Sequence, residues 1–284
     1  SQLWVNEVNS GSPFHQWMKG ARLAKGKYLW IAESDDFAMA DLLQRNVDML
    51  ENNPNAVMAF CQSIFVDEHD RELNSYAENY RFIYKTDRWD HDFVADGKDE
   101  CRQYLIRHNS IPNASAVLFR KDAFLKSGGP PLDWKLNGDW MFYASLLQLG
   151  ELAYCAEPLN RFRKHYQTQR QRANADARAY FEIWEIVEFI KDKNSVSPSI
   201  LEEAMEKFSD WWIGSLFRQE LNGRFFKDNG QLYSRFSKVR SYLLLRIVYS
   251  GCFHMLTAMI NALGIKSSLK KLRSKLFPGK YFEY

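Results

Sequence analysis

A short apolar run that ends abruptly in acidic residues limits the folds open to this sequence more than any other feature does. Residues 28–32 (Tyr-Leu-Trp-Ile-Ala) are wholly apolar, and residues 33–36 (Glu-Ser-Asp-Asp) follow at once. Such a run predicts a buried central strand, and in open α/β sheets ligands bind beyond the carboxyl ends of the strands. Because a helix is predicted from residue 39, the acids could instead begin that helix, whose N-terminus favours carboxylates.

The crowding of these carboxylates suggests a cation. Glu33, Asp35 and Asp36 lie within four residues of each other and repel one another. Mg²⁺ is typically held by one or two carboxylates together with substrate phosphates. A diphosphate bridged through such a metal becomes a better leaving group, because its developing negative charge is neutralised.

The rest of the chain divides into an alternating part and a helical part. Strands are predicted over residues 3–8, 57–66, 113–119 and 152–163. Helices are predicted over residues 14–25, 39–52, 99–108, 120–127 and 138–149. This alternation predicts an α/β sheet, with a long loop over residues 67–98. The later helices, predicted over 173–194, 197–222 and 234–263, place a domain boundary near residue 170.

Composition narrows the class of protein. Hydrophobic residues make up 46% and charged residues 26% of the chain, as in ordinary globular proteins. The four cysteines stand far apart, which excludes a zinc knuckle and a CxxC redox pair. Scattered thiols favour a reducing, cytoplasmic setting.

Two further polar features are candidates for chemistry. Asp139 falls at a predicted helix N-terminus, where the dipole keeps a carboxylate ionised, so it could accept a proton from a hydroxyl. A plain capping role is the alternative. Residues 161–165 (Arg-Phe-Arg-Lys-His) cluster basic groups that suit a diphosphate, and His165 could bind a metal or a phosphate. A solvated basic loop is the alternative for that segment.

In this order the motifs resemble the family 2 glycosyltransferases of the GT-A fold, which carry a DxD-like motif. The motifs that carry this resemblance are Asn9-x-Gly11, residues 25–36, residues 111–120, residues 138–140, and residues 157–159 with the following Arg163 and His165. The resemblance covers residues 1–170 and implies a GT-A Rossmann-like mixed sheet, with a helical region over 171–284. It implies a metal-dependent, inverting hexosyltransferase of the bacterial surface-polysaccharide type. The donor would be a nucleotide-sugar, and the acceptor a saccharide or a lipid-linked saccharide.

The resemblance also assigns roles to single residues. It makes Asp36 the first metal ligand, for Mg²⁺ or Mn²⁺, and gives Asp35 a contact to the metal or to the nucleotide ribose. Glu33 occupies the first acidic position, where Asp is commoner. Asp139 would be the general base, and His165 would support the metal or the diphosphate.

The nucleotide site is the part in which the chain departs from the family. Asn9, Gly11 and Arg163 are expected to contact the donor, but Gln16 and Trp17 stand where many members carry Arg and Asn. The family's opening strand, its loop and the next βα unit, which normally hold the nucleobase, are absent. We therefore expect an N-terminally truncated catalytic domain.

Positive charge is concentrated near the C-terminus. Residues 229–282 contain ten basic residues and no acidic one. Residues 247–265 carry no formal charge but include several polar side chains, so we interpret them as an interfacial or partner-packing helix. We expect peripheral association with the inner face of the cell membrane; a core helix with a solvated basic face is the alternative. Nucleic acid is not expected as a partner, because no recognition motif accompanies the charge.

Two rival functions remain open at this point. A nucleotidyltransferase of related fold would release pyrophosphate and would need a Gly-rich loop followed by Arg or Lys near its N-terminus. A non-catalytic carbohydrate-binding module would need neither Asp36 nor Asp139. The presence of both acids at their expected positions favours the glycosyltransferase.

Overall fold

The computed structural model describes two compact units. The units are Ser1–Phe208 and Ser209–Tyr284. The described residues are 3–164, 177–217, 219 and 222–262, with side chains described as far as residue 255.

One mixed sheet organises the first unit. Its strands are β1 (Tyr28–Trp30), β2 (Phe37–Ala38), β3 (Ala56–Val66), β4 (Glu72–Ser75), β5 (Phe93–Ala95), β6 (Val117–Arg120) and β7 (Glu151–Arg163). Within the described residues these seven strands run in the order β1-β6-β3-β7-β2, with β4 joined to β3 and β5 to β7. The long strands β3 and β7 are parallel, and the other pairings are antiparallel. The predicted mixed α/β fold is therefore confirmed.

Helices connect and cover these strands. In the first unit they are α1 (Phe14–Leu23), α2 (Leu42–Asn52), α3 (Tyr76–Tyr84), α4 (Gly97–Glu100), α5 (Lys121–Lys126), α6 (Gly138–Leu146) and α7 (Arg178–Lys193). A π-helical turn, Cys101–Leu105, continues α4. The helix α8 (Pro198–Leu216) runs from the first unit into the second, which also contains α9 (Gly223–Phe236) and α10 (Leu243–Ala262).

The core lies where α2 covers the sheet. Leu50 of α2 is fully buried in one cluster with apolar residues of the three central strands, Ala59, Leu118 and Ala153. Burial of a leucine side chain is worth about 1.5–3 kcal/mol. These contacts hold β3, β6 and β7 together, and β6 in turn pairs with β1, the strand that the acidic residues follow.

The segment 67–98, predicted as a long loop, is largely ordered. It contains β4, α3 and β5, and α3 begins with a capping box in which Ser75 and Glu78 satisfy each other's backbone amides. Buried aromatic rings anchor it, with Tyr84 stacked on Trp89 at 5.0 Å between centroids. The prediction was wrong because short elements held by aromatic contacts have no clear hydrophobic period.

Two strand predictions near the N-terminus also need correction. Residues 3–8 form no strand in the described structure and are exposed. The run predicted as a central strand, residues 28–32, forms β1 only over Tyr28–Trp30, and its one described partner is β6. A strand is central only if both of its edges are paired, and sequence patterns do not report pairing.

The two units divide at residue 208, whereas the sequence predicted a boundary near residue 170. The reason lies in α7, which belongs to the first unit together with the sheet. Its buried Glu182 accepts the backbone amides of Lys135 at 3.2 Å and of Asn137 at 2.8 Å. These bonds attach α7 to the segment that begins α6.

The helices after residue 196 are divided differently from the prediction. The predicted helix over 197–222 ends earlier, at Leu216. The predicted helix over 234–263 is two helices, because α9 ends at Phe236 and α10 begins at Leu243. Tyr242, with a φ of 59°, lies between them. None of the helices in the described part of the chain has the length and apolarity that crossing a membrane requires.

Candidate active site

The three predicted acids lie together directly after β1. One oxygen from each of Glu33, Asp35 and Asp36 lies within 4.8 Å of the others. We name residues 33–36 the acidic loop. The pairing of β2 with β7, which aligns Phe37 with Arg161, holds the end of this loop against the sheet. The loop is therefore fixed on both sides, by β1 before it and by β2 after it.

The surroundings of these acids disfavour their charged forms. Burial first, and then the nearby charges of Asp36 and Asp139, raise the pKa of Glu33 to about 7. Burial also raises the pKa of Asp36 to about 6, although hydrogen bonds from Arg163 and Ser115 act in the opposite direction. A cation placed among these carboxylates would offset both burial and mutual repulsion.

The donor atoms fit a hard divalent cation. Asp36 Oδ1 accepts the backbone amide of Arg163 at 3.0 Å. Its other oxygen, Oδ2, is buried and has no hydrogen-bond partner among the described residues. An unpartnered buried oxygen costs about 1–3 kcal/mol, more when it is charged, and metal coordination would remove that cost. Carboxylate oxygens are the ligands that Mg²⁺ prefers.

Arg163 positions the acidic loop in addition to binding Asp36 through its amide. Its Nε donates to the carbonyl oxygen of Asp35 at 3.0 Å. Its guanidinium also pairs with Asp70 at 2.6 Å and donates to the carbonyl of Asp67 at 3.0 Å. The side chain that the sequence assigned to the donor is thus already bonded to the loop, and its contact with a diphosphate stays a prediction.

Ser115 is a site residue that sequence reasoning missed. Its hydroxyl accepts the amide of Glu33 at 3.1 Å and lowers the pKa of Asp36, while its carbonyl accepts the indole N–H of Trp30 at 2.8 Å. It lies in a short 3-10 turn that Asn113 caps directly before β6. A serine next to a capping asparagine at a predicted strand start was the available signal.

Asp139 lies close to the acidic loop, as expected for a shared site. It is in the first turn of α6, and its charge raises the pKa values of Glu33 and of the buried Tyr143. The amide of Asn109 donates to Asp139 Oδ2 at 3.5 Å, a contact that sequence reasoning also missed. The structure therefore brings the predicted base and the predicted metal ligands within electrostatic reach of each other.

A glycine makes this position of α6 possible. A Cβ atom added to Gly138 would lie 2.2 Å from the ring of Phe14 in α1. Any other residue would push α6 away from α1 and move Asp139 relative to the acidic loop. Gly138 is thus a packing requirement of the site.

The remaining predicted residues lie at the edges of this site. Asn9 Oδ1 accepts the amide of Gly11 at 2.9 Å, and Gly11 has a φ of 76°, so the two form a tight exposed turn before α1. Their contact with a donor stays a prediction. His165, predicted as a metal ligand, lies outside the described residues.

A cavity of about 820 Å³ borders the acidic loop. Its walls come from α1, which contributes Trp17 and Ala21, and from β1. Glu33 and Asp35 line one end of it. The cavity is thus mostly apolar with an acidic end, an arrangement suited to a ligand that carries both apolar and cation-bound groups.

Comparison with known proteins agrees with this geometry. Residues 5–124 match the sequence model of glycosyl transferase family 2. Over these residues the chain is similar in sequence to the family 2 glycosyltransferases. The match includes the Asn9 turn, the acidic loop and Ser115, and it confirms the resemblance seen in the motifs. Asp139 and Arg163 lie beyond the matched residues.

Individual relatives cover parts of the chain. The chain is 32% identical to an uncharacterized glycosyltransferase of Methanocaldococcus jannaschii, MJ1057, over 65 residues. These residues make up 22% of this chain and 22% of that protein. The fold is similar to S. aureus TarS 1–349 solved with UDP-GlcNAc, with a TM-score of 0.56 and 12% identity, over 84% of this chain and 65% of that one. TarS 1–349 solved with UDP gives a TM-score of 0.51 at 12% identity, over 87% of this chain and 69% of that one.

Two limits follow from these figures. At 12% identity the likeness to TarS establishes the fold, which is the GT-A fold expected from the motifs. The chain spans less than a quarter of the curated relative and just under two thirds of the TarS fragment solved with UDP-GlcNAc.

Proposed function

We propose that this chain belongs to an inverting, metal-dependent glycosyltransferase that moves a sugar from a nucleotide diphosphate to a saccharide or lipid-linked acceptor. One observation carries the proposal. Three carboxylates converge within 4.8 Å after β1, and Asp36 Oδ2 is buried among them without a hydrogen-bond partner. The family 2 match over this loop supports the same chemistry.

The acidic loop would hold the donor end of the reaction. Asp36 and Asp35, with His165 as a further candidate, would hold Mg²⁺ or Mn²⁺. When bound, the cation supplies neutralisation of the charge that develops on the leaving diphosphate. Glu33 would keep its place through the bond from its amide to Ser115 and would add to the negative field that favours a cation.

Asp139 would act on the acceptor. Its carboxylate would take the proton of the acceptor hydroxyl as the hydroxyl oxygen attacks the anomeric carbon. The new C–O bond forms on the face opposite the breaking bond to the diphosphate, so the anomeric configuration inverts. One carboxylate is sufficient for this displacement, since no covalent enzyme intermediate has to be formed and released.

The fold suggests a class of donor and a first nucleotide to test. TarS was solved with UDP and with UDP-GlcNAc, and the present chain shares its fold. We therefore propose a nucleotide-sugar donor here and choose uridine as the first nucleotide to test. Work on a surface polysaccharide at the cytoplasmic side of the membrane would fit the proposed acceptor class.

Calorimetric titration tests the proposal. UDP, GDP and dTDP are titrated into the 284-residue chain with Mn²⁺ and again with a chelator. We expect one nucleotide to bind only with Mn²⁺, and Asp36→Asn to abolish that binding. Asp41→Asn is the matched control, because Asp41 is an exposed acid whose side chain makes no capping hydrogen bond.

The alternatives give distinct results. Nucleotide binding that is equal with and without chelator, or equal in wild type and Asp36→Asn, would contradict the metal-site assignment. If binding is metal-dependent but the protein converts a nucleoside triphosphate and a sugar 1-phosphate into a nucleotide-sugar and pyrophosphate, and releases no nucleoside diphosphate from a nucleotide-sugar and acceptor, it is a nucleotidyltransferase.

A further inference from the structure

The helix α10 in the second unit presents an unusually apolar surface. Large apolar side chains along it are exposed, among them Leu245 at 64% and Tyr249 at 75%. The full set, which we name the α10 face, is Leu244, Leu245, Val248, Tyr249, Phe253 and Met255. At 3.6 residues per turn these positions cover about half of the helix circumference.

The other side of α10 is packed within the second unit. Leu243 is buried, and the ring of His254 stacks on Phe217 at 4.7 Å between centroids. A Cβ atom added to Gly251 would lie 3.3 Å from the ring of Phe217, so the helix approaches its neighbour closely there. The helix is therefore packed in its unit by one side, and the α10 face remains exposed on the opposite side.

Such a face marks a docking surface. Soluble monomers rarely expose contiguous apolar patches of more than a few hundred Å². Leucine, phenylalanine and tyrosine on one side of a helix are typical of helices that lie in a membrane interface, where tyrosine's polar tip stays at headgroup level.

The charge around the face selects its partner. Arg246 of α10 is half exposed and pairs with Asp210 at 2.8 Å, and the buried Arg240 before the helix pairs with the same carboxylate at 2.9 Å. The sequence from residue 229 to residue 282 adds further basic residues and no acid. This excess suits anionic headgroups, and it would repel a second copy of the same basic surface.

We propose that the α10 face inserts into the interface of an anionic lipid membrane, with Arg246 and other exposed basic side chains of this unit contacting its headgroups. This binding needs neither the acidic loop nor a nucleotide, so it stands or falls separately from the proposed activity. It would place the sheet unit beside acceptors that are attached to lipid.

Vesicle binding by the full chain tests the proposal. The protein is sedimented with vesicles of phosphatidylcholine and phosphatidylglycerol in equal parts, and with phosphatidylcholine alone. We expect binding to the anionic vesicles, weakened by salt, and a loss of roughly tenfold or more in the double variant Leu245→Glu/Tyr249→Glu. The matched control is Leu73→Glu/Phe82→Glu, which changes two exposed apolar residues of the first unit by the same charge and should bind like wild type.

Each other outcome is decisive. Absence of binding by the wild-type chain, or equal binding by wild type and the α10 variant, would overturn the proposal. Self-association in solution that the α10 variant loses, without vesicle binding, would make the face a protein interface. If the glutamate variant fails to fold by circular dichroism, Leu245→Ser/Tyr249→Ser replaces it, and binding unchanged in that variant would equally reject the idea.

Discussion

Two carboxylate sites in the first unit, Glu100 and the acidic loop, have opposite surroundings. Glu100 has a fully buried side chain, pairs with Arg88 at 2.8 Å and accepts the hydroxyl of Ser110 at 2.8 Å. By contrast, no salt bridge of the described residues involves Glu33 or Asp36, and their pKa values are raised. Glu100 is thus balanced by a cation of its own chain, whereas none of the described residues forms a salt bridge with Glu33 or Asp36.

The partner of Glu100 is itself held firmly. The guanidinium of Arg88 lies 3.7 Å from the ring centre of Phe93 and 4.3 Å from that of Tyr104. This cluster therefore serves stability. The acidic loop gives up stability by crowding charges, which is typical of sites that are completed by a ligand.

The largest expected effect concerns Asp139. Asp139→Asn should lower turnover by about 10²–10⁴-fold, because an amide cannot accept the acceptor proton. Donor affinity should not change, since the acidic loop is intact. The measurement is nucleoside diphosphate release together with donor titration, with the exposed Asp133→Asn as control. Turnover retained in Asp139→Asn would remove Asp139 from the role of base.

The next effect separates a structural acid from a functional one. Glu100→Gln should lower the free energy of unfolding by about 3–5 kcal/mol, because it leaves Arg88 buried without its charge partner. Asp36→Asn should leave the stability of the metal-free chain unchanged or raise it. Denaturant unfolding measures both variants. The contrast fails if Asp36→Asn destabilises the metal-free chain as much as Glu100→Gln does.

A smaller effect should come from the cation itself. Mn²⁺ at about one hundred times its dissociation constant should stabilise the wild-type chain by about 2.7 kcal/mol, since it binds the folded state only. Asp36→Asn should show no such gain, whereas Glu100→Gln should keep it. Thermal unfolding with and without Mn²⁺ measures this gain. Equal gains in wild type and Asp36→Asn would mean that the metal binds elsewhere.

The smallest expected effect concerns Ser115. Ser115→Ala should weaken Mn²⁺ binding by about tenfold, because its hydroxyl holds the loop backbone at Glu33 and lowers the pKa of Asp36. Ser115→Thr should restore part of the affinity by returning a hydroxyl. Ser127→Ala, which removes a hydroxyl bonded to the carbonyl of Phe124, is the control. Full affinity in Ser115→Ala would show that the loop holds its shape without this serine.

The contrast between the two carboxylate groups also explains what could be predicted from the sequence. The acidic loop was visible because its residues are consecutive and follow an apolar run. Asp139 was visible because a helix start is a local signal. Ser115 and Asn109 reach the same site from a distant part of the chain, and the pairing of β1 with β6 brings Ser115 to Glu33.

Errors in the predicted fold have the same origin. The ordered segment 67–98 and the attachment of α7 through Glu182 depend on contacts between residues far apart in the chain. Apolar runs report burial but not neighbours, so β1 was placed at the centre of the sheet. Local patterns therefore predicted most elements, and long-range contacts decided their order.

Electron paramagnetic resonance of Mn²⁺ tests the central claim most directly, because it counts free ion in the presence of protein. We expect the wild-type chain to remove Mn²⁺ from solution, more strongly with UDP or the nucleotide that binds best. Asp36→Asn should leave the ion free, while Asp41→Asn should behave like wild type. Uptake of Mn²⁺ by Asp36→Asn equal to that of wild type would contradict the claim that the acidic loop is the metal site.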